Sequence, residues 1–136
     1  MLKSARLAKE IVVSVVNKIG VLAEMSKLVA EHGINIIALA GYAEKDNTAK
    51  IMLISEDNQR ISDALKKAGY KSLSEREVIL LELENKIGAL KEITAKLAAE
   101  DVDIKQIYGT TCAAGCPASI VVATSNNEKA LLAFKK

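Results

Sequence analysis

The chain has 136 residues, half of them apolar, so it is long enough for one domain or for two small ones. Its 19 basic and 17 acidic residues are interspersed and leave a net charge of +2, which argues against a surface for nucleic acid or anionic lipid. The apolar run at residues 11–16 is too short for a membrane span or a signal sequence. We therefore expect a cytoplasmic protein with no nucleic-acid or membrane partner.

The first half of the chain predicts a strand–helix–strand–strand–helix–strand unit. The β-branched run at residues 11–16 has the length of a strand. From Val21 apolar residues recur at three- and four-residue spacing, which is typical of a helix, and Gly33 stands where that helix should end. The other predicted elements are strands at 34–40 and 51–54, a helix at 58–68 and a strand at 70–75. This order is the ferredoxin-like arrangement.

The second half repeats the pattern of the first. Asn17-Lys18-Ile19-Gly20 returns 68 residues later as Asn85-Lys86-Ile87-Gly88, and residues 17–36 match 85–104 at eight of twenty positions. The repeated elements are predicted as a strand at 78–83, a helix at 89–100, strands at 102–108 and 119–123, and a helix at 127–136. We expect an α+β protein with two ferredoxin-like βαββαβ units packed together, residues 9–76 and 77–136, with antiparallel sheets and helices on one face.

The second unit lacks a fourth strand at its C-terminal end. Leu2-Lys3-Ser4 aligns with Tyr70-Lys71-Ser72 at the same offset, so we expect residues 2–7 to supply that strand. One alternative is a hairpin with residues 11–16, although residues 8–10 lack the usual chemistry of a tight turn. The other alternative is a helical extension over residues 2–10, since their composition tolerates a helix.

The repeated motif resembles the ACT domain, a small regulatory module that binds amino acids. One copy runs from Asn17 to Leu22 and closes with Gly33-Ile34-Asn35-Ile36. The other runs from Asn85 to Leu90 and closes with Asp101-Val102-Asp103-Ile104. The resemblance covers essentially the whole chain in two copies. It implies a ligand that sits between two modules, on the loop of one and the second strand of the other.

The loop itself has the chemistry of an amino-acid site. A glycine at a helix entrance allows close approach of the backbone, and the free N–H groups and dipole of the first turn favour a carboxylate. If the halves pair through their second strands, one site combines Asn17 with Asp103 and the other combines Asn85 with Asn35. We also expect Asn17 and Asn85 to cap the helices that follow them. The predicted ligand-binding residues are Asn17, Lys18, Ile19, Gly20, Val21, Leu22, Asn35, Ile36, Asn85, Lys86, Ile87, Gly88, Ala89, Leu90, Asp103 and Ile104.

Two cysteines lie in the predicted loop between the second and third strands of the second unit only. Cys112 and Cys116 are expected to be reduced thiols, as is usual inside cells. A redox pair, or a soft metal shared with a partner chain, is the alternative. No metal-ligand cluster, cofactor motif or nucleophile motif appears, so we expect neither a cofactor nor an enzyme.

These features favour an allosteric regulatory protein that binds a free amino acid. We expect a homo-oligomer, a dimer in the simplest case, that controls its own assembly or an enzyme of amino-acid metabolism. The alternative is a structural or regulatory partner subunit that binds protein and no metabolite. RNA recognition is disfavoured because the first and third strands of each unit lack the aromatic residues on which bases stack.

Overall fold

The computed structural model describes residues 2–113 and 115–136, which form six strands and four helices. The elements in chain order are β1 (Leu2–Val16), α1 (Val21–Glu31), β2 (Ile36–Ala43), β3 (Thr48–Ser55), α2 (Asn58–Lys67), β4 (Leu73–Leu83), α3 (Ala89–Ala99), β5 (Ile104–Thr110), β6 (Ala118–Thr124) and α4 (Asn127–Phe134). The chain divides into two compact units, one of residues 9–76 and one of residues 1–8 with 77–136. Strands β1 and β4 each contribute a segment to both units.

The unit of residues 9–76 has the strand order β2–β3–β1–β4. Strand β3 pairs antiparallel with β1 on one side and with β2 on the other, so that Ile51 lies opposite both Val13 and Gly41. Alternate residues of β1 and β3 point to the side of α1 and α2, as the two-residue period of a strand requires. The aliphatic core formed there consists of Ile11, Val13, Val15, Val21, Met25, Val29, Ile34, Ala49, Ile51, Leu53, Ile61 and Leu65.

The other unit has the strand order β1–β4–β6–β5. Strand β6 pairs antiparallel with β4 and β5, so that Ile120 lies opposite both Leu81 and Gly109. Leu2 and Ala5, from the start of β1, pack against the core of this unit. That core consists of Ile79, Leu81, Leu83, Ala89, Ile93, Leu97, Val102, Val122, Ala130 and Phe134.

The predicted α+β, ferredoxin-like class is confirmed, but the strand boundaries differ from the prediction. Residues 2–16 form one continuous strand, so the helical extension and the hairpin at the start of the chain are both wrong. The strands predicted at 70–75 and 78–83 are parts of the single strand β4. Charged residues interrupt the apolar pattern at both places, yet neither place has the glycine or proline that ends a strand. No helix in the described part of the chain is long and apolar enough to span a membrane.

Candidate functional site

Both repeats enter their first helix through a loop that ends in a left-handed glycine. Gly20 and Gly88 are the residues that precede α1 and α3, with φ angles of +92° and +88°. This conformation is costly for a residue with a Cβ atom, which explains why glycine stands at both positions. In each loop the carbonyl two residues before the glycine accepts the N–H of the first helical residue, at 3.3 and 3.2 Å. The two loops therefore share one geometry.

The prediction that Asn17 and Asn85 cap these helices is wrong. Neither α1 nor α3 has a side-chain hydrogen bond at its start, because a capping side chain must stand directly before the helix and glycine holds that position. By contrast, α2 is capped by Asp57 and α4 by Asn126, whose side chains accept backbone N–H groups at 3.2 and 3.1 Å. The first-turn amides of α1 and α3 are thus left open for another acceptor.

A cavity of about 330 Å³ lies beside the first loop, within the unit of residues 9–76. It is lined by Asn17 of the loop, Val21 and Leu22 of α1, residues 39–43 of β2 and residues 49–51 of β3. The lining is mostly apolar and contains a few polar side chains, which is the usual composition of a small-molecule site. Its volume is at the lower end of the range for such sites and suits a small metabolite.

The structure brings only some of the predicted first-repeat residues to this cavity. Asn17, Val21 and Leu22 line it. Lys18 lines a different groove on the other side of the loop. The side chain of Ile19, at the tip of the loop, is fully exposed. Consecutive loop residues therefore point to different surfaces of the unit.

The wall opposite the loop is formed farther along β2 than the sequence predicted. Asn35 lies before β2 and Ile36 packs against the core, so neither lines the cavity. Leu39 and Gly41 line it instead. Gly41 recurs 68 positions later as Gly109, so the repeat carried a signal for this strand position that could have identified it.

In the second repeat the charged side chains of the predicted site are paired with near neighbours. The Nζ atom of Lys86 lies 3.1 Å from Oε2 of Glu84. The Oδ2 atom of Asp103 accepts a hydrogen bond from Nζ of Lys105 at 2.8 Å. Asn85 is exposed. The carboxylate of Asp103 is thus partly neutralised by a lysine of its own strand.

The apolar members of the second-repeat set fall into three environments. Ile87 is fully exposed at the tip of its loop, as its counterpart is in the first repeat. Ala89 is buried and Ile104 packs against the core, so both have structural roles. Leu90, on the first turn of α3, is about half exposed.

Cys112 and Cys116 form a disulfide in the loop between β5 and β6, with their Cα atoms 5.9 Å apart. The prediction of reduced thiols is therefore corrected. It rested on the usual redox compartment of such a chain and did not consider how a turn brings the two residues together. Because Leu83 pairs with Ala118, this loop lies beside the one that contains Asn85. Among the described residues, no group of three or more His, Cys, Asp or Glu side chains is placed to hold a metal ion.

Close to the first loop, Tyr70 contacts the start of α1. Its hydroxyl donates a hydrogen bond to Oε1 of Glu24 at 2.7 Å. Burial, together with this carboxylate, raises the pKa of Tyr70 to about 12. The phenol therefore remains a neutral donor at physiological pH.

Known proteins resemble this chain in both sequence and fold. The family model of the ACT domain matches residues 9–68. A comparison with curated protein sequences gives no significant match. The crystal structure of protein BT0572 from Bacteroides thetaiotaomicron is 29% identical, with a TM-score of 0.86 over 96% of this chain and 88% of that one.

Solved structures at lower sequence identity share the fold. The ligand-free regulatory subunit of aspartate kinase from Thermus thermophilus is 15% identical, with a TM-score of 0.68 over 98% of this chain and 96% of that one. A structure of aspartokinase alpha and beta subunits is 16% identical, with a TM-score of 0.67 and the same coverage. The left-handed loop glycine, the open helix start and the family match agree, and residues 9–68 belong to the ACT domain family.

Proposed function

We propose that this protein is a regulatory protein that binds a free amino acid beside the loop between β1 and α1. The observation that carries the proposal is the cavity that joins the uncapped start of α1 to the open face of β2. Membership of residues 9–68 in the ACT domain family supports it, since the family binds amino acids. Similarity in fold to the regulatory subunit of aspartate kinase is consistent with control of an enzyme.

The polar groups at the cavity suit the main-chain end of an amino acid. The α-carboxylate is placed at the N-terminus of α1, where the open N–H groups of Leu22 and Ala23 and the helix dipole favour negative charge. The side-chain oxygen of Asn17 is the proposed acceptor for the α-ammonium group. The matching loop at Gly88 is the proposed second site, next to the disulfide.

The apolar lining suits a small aliphatic side chain. Leu22 and Leu39 both line the cavity, and each is 45% exposed. Covering these two side chains would remove apolar surface from water, at about 25 cal/mol per Å². We therefore propose a small, uncharged amino acid as the ligand of the first site.

The proposed output is a change in assembly or in the activity of a partner enzyme. Strand β2 is an edge strand of its unit and carries exposed Ile37, Leu39 and Tyr42, which suits association with a second copy. A ligand that binds only the assembled form stabilises it by mass action, by about 2.7 kcal/mol at a hundredfold excess over Kd.

A second candidate function is that of a partner subunit that binds protein and no metabolite. The observation that favours it is the complete exposure of Ile19 and Ile87, one at the tip of each loop. A large apolar side chain in the same exposed place in both repeats suits insertion into a pocket of a partner.

The test is a thermal-shift screen of the full chain against the twenty amino acids, repeated on Gly20→Val and Gly88→Val. We expect one class of amino acid to raise Tm, and the shift to be reduced in each variant. Because both substitutions strain a left-handed residue, Leu39→Glu is included as a variant that fills the cavity mouth from an exposed position. Leu132→Glu, on exposed α4, is its matched control. A well-folded wild type with no shift for any amino acid would favour the partner-subunit function.

A further inference from the structure

A second groove, of about 340 Å³, lies on the other side of the first loop. The segment between α2 and β4 runs beside the end of β1 there, held by a hydrogen bond of 2.9 Å from the N–H of Ser14 to the carbonyl of Ser72. The groove is lined by Ser14, Val15, Val16, Lys18, Val21, Gly69, Tyr70, Lys71 and Ser72. All of these residues belong to the unit of residues 9–76.

The groove carries positive charge that no neighbouring carboxylate neutralises. Lys18 lines it from the loop and Lys71 from the facing segment. Within the described part of the chain neither lysine forms an ion pair. The carboxylate of Glu24, on α1, accepts the hydroxyl of Tyr70 instead.

Hydroxyl groups complete the chemistry of the groove. The side chains of Ser14 and Ser72 line it together with the two lysines. Ammonium and hydroxyl groups are donors, and several donors that converge on one groove suit an acceptor with several oxygen atoms. Lysine in particular serves as a point-charge binder of phosphate.

The corresponding positions of the second repeat show a different balance of charge. Ser14 and Val16 are replaced, 68 positions later, by Glu82 and Glu84. The loop lysine of that repeat, Lys86, is held by Glu84 at 3.1 Å. The same loop thus carries an unpaired lysine in one repeat and a neutralised lysine in the other.

We propose that the groove of the first repeat binds a small oxyanion with two or more negative charges, such as a phosphate group. Lys18 and Lys71 supply the opposing charges, and the serine hydroxyls supply further hydrogen bonds. Lys18 directly follows Asn17, which lines the amino-acid cavity, so an anion held in the groove restrains the loop that both surfaces share. The anion site is separate from the proposed amino-acid site and does not depend on it.

The experiment is a two-dimensional amide NMR titration of the full chain with inorganic phosphate at constant ionic strength. We expect saturable shifts at Lys18 and in residues 69–72. Lys18→Gln and Lys71→Gln should each weaken binding by about tenfold, the loss of one charge-assisted contact. Lys67→Gln removes the same charge from an exposed helical position outside the groove and should leave the affinity unchanged.

A further variant introduces the second-repeat chemistry into the first repeat. Val16→Glu places a carboxylate near Lys18, as Glu84 is placed near Lys86, at a position that is 61% exposed in the native chain. It should abolish phosphate binding without unfolding the unit. A parallel titration with a phosphate monoester separates a free phosphate ligand from a phosphate carried by a metabolite, and tighter binding of the ester supports the second source. Shifts that do not saturate with either ligand, or equal losses in Lys67→Gln, would overturn the proposal.

Discussion

The guanidinium of Arg76 binds the buried carboxylate of Glu10 through two nitrogen atoms. Nε and Nη2 of Arg76 each lie 2.8 Å from Oε1 of Glu10. The side chain of Glu10 has no exposed surface, whereas that of Arg76 is 37% exposed. A buried carboxylate is tolerated when it is paired and hydrogen-bonded, and removing its partner is strongly destabilising. Both residues lie in the unit of residues 9–76, where the chain enters and leaves it.

Arg76→Leu should therefore destabilise the protein at neutral pH. We expect a loss of about 2–4 kcal/mol in the free energy of unfolding, because the variant leaves Glu10 charged and buried without its guanidinium. Urea denaturation measures the loss, with Arg6→Leu as the control at an exposed position. The double variant with Glu10→Leu should be less destabilised than Arg76→Leu alone, and additive losses would contradict the coupling.

Gly109→Ala should destabilise the protein more than Gly41→Ala. A Cβ atom at Gly109 would lie 2.7 Å from the carbonyl oxygen of Ser119, whereas at Gly41 the nearest atom, the carbonyl oxygen of Lys50, is 3.4 Å away. We expect a loss of about 1–3 kcal/mol for Gly109→Ala from overpacking, and a much smaller change for Gly41→Ala. Equal denaturation midpoints for the two variants would show that the β5–β6 pair can move apart.

Reduction of the Cys112–Cys116 disulfide should lower the free energy of unfolding. The bond closes a loop across a sequence separation of 4 residues, and a loop of this size is expected to contribute about 2 kcal/mol. The measurement is denaturation with and without a dithiol reductant, which breaks the bond by thiol–disulfide exchange. Cys112→Ser with Cys116→Ser is the control and should not respond to the reductant. Two reactive thiols in the untreated, folded protein would argue against the bond.

Stability should fall above about pH 10, partly through Tyr70. Burial and the hydrogen bond to Glu24 raise the pKa of Tyr70 from 10.0 to about 12, so the folded state holds this proton more tightly than the unfolded state does. The stabilisation is fully present below pH 10 and is lost as the pH rises to about 12. Tyr70→Phe should therefore show a shallower loss of stability between about pH 9 and 11. Parallel curves for wild type and Tyr70→Phe would rule out this contribution.

Removal of residues 2–7 should loosen the unit that contains residues 77–136. Leu2 and Ala5 pack against its core, so their loss leaves apolar side chains exposed and opens the outer edge of β4. Amide hydrogen exchange is the suitable measurement, because it reports the opening of each unit separately. We expect faster exchange at Val122 and in α4. Faster exchange confined to the unit of residues 9–76, for example at Ile51, would contradict this division of the chain.

The local features of the loops could be read from the sequence. The repeat predicted two matching units, and Gly20 and Gly88 correctly indicated the tight entry into a helix, since a positive φ at those positions depends only on neighbouring residues. The start of α1 at Val21 also agrees with the prediction. The continuity of β1 and β4 was missed because charged residues interrupt the apolar pattern without breaking a strand.

The composition of the site was decided by tertiary structure. Gly41 reaches the cavity because β2 pairs with β3 in a register that places it opposite Ile51, and no local pattern specifies that register. Asn17 and Lys18 are adjacent in sequence, yet they line different surfaces because the loop turns between β1 and α1. Sequence periodicity determines which residues form a strand or helix, whereas a binding surface is assembled from residues that chain pairing brings together from distant positions.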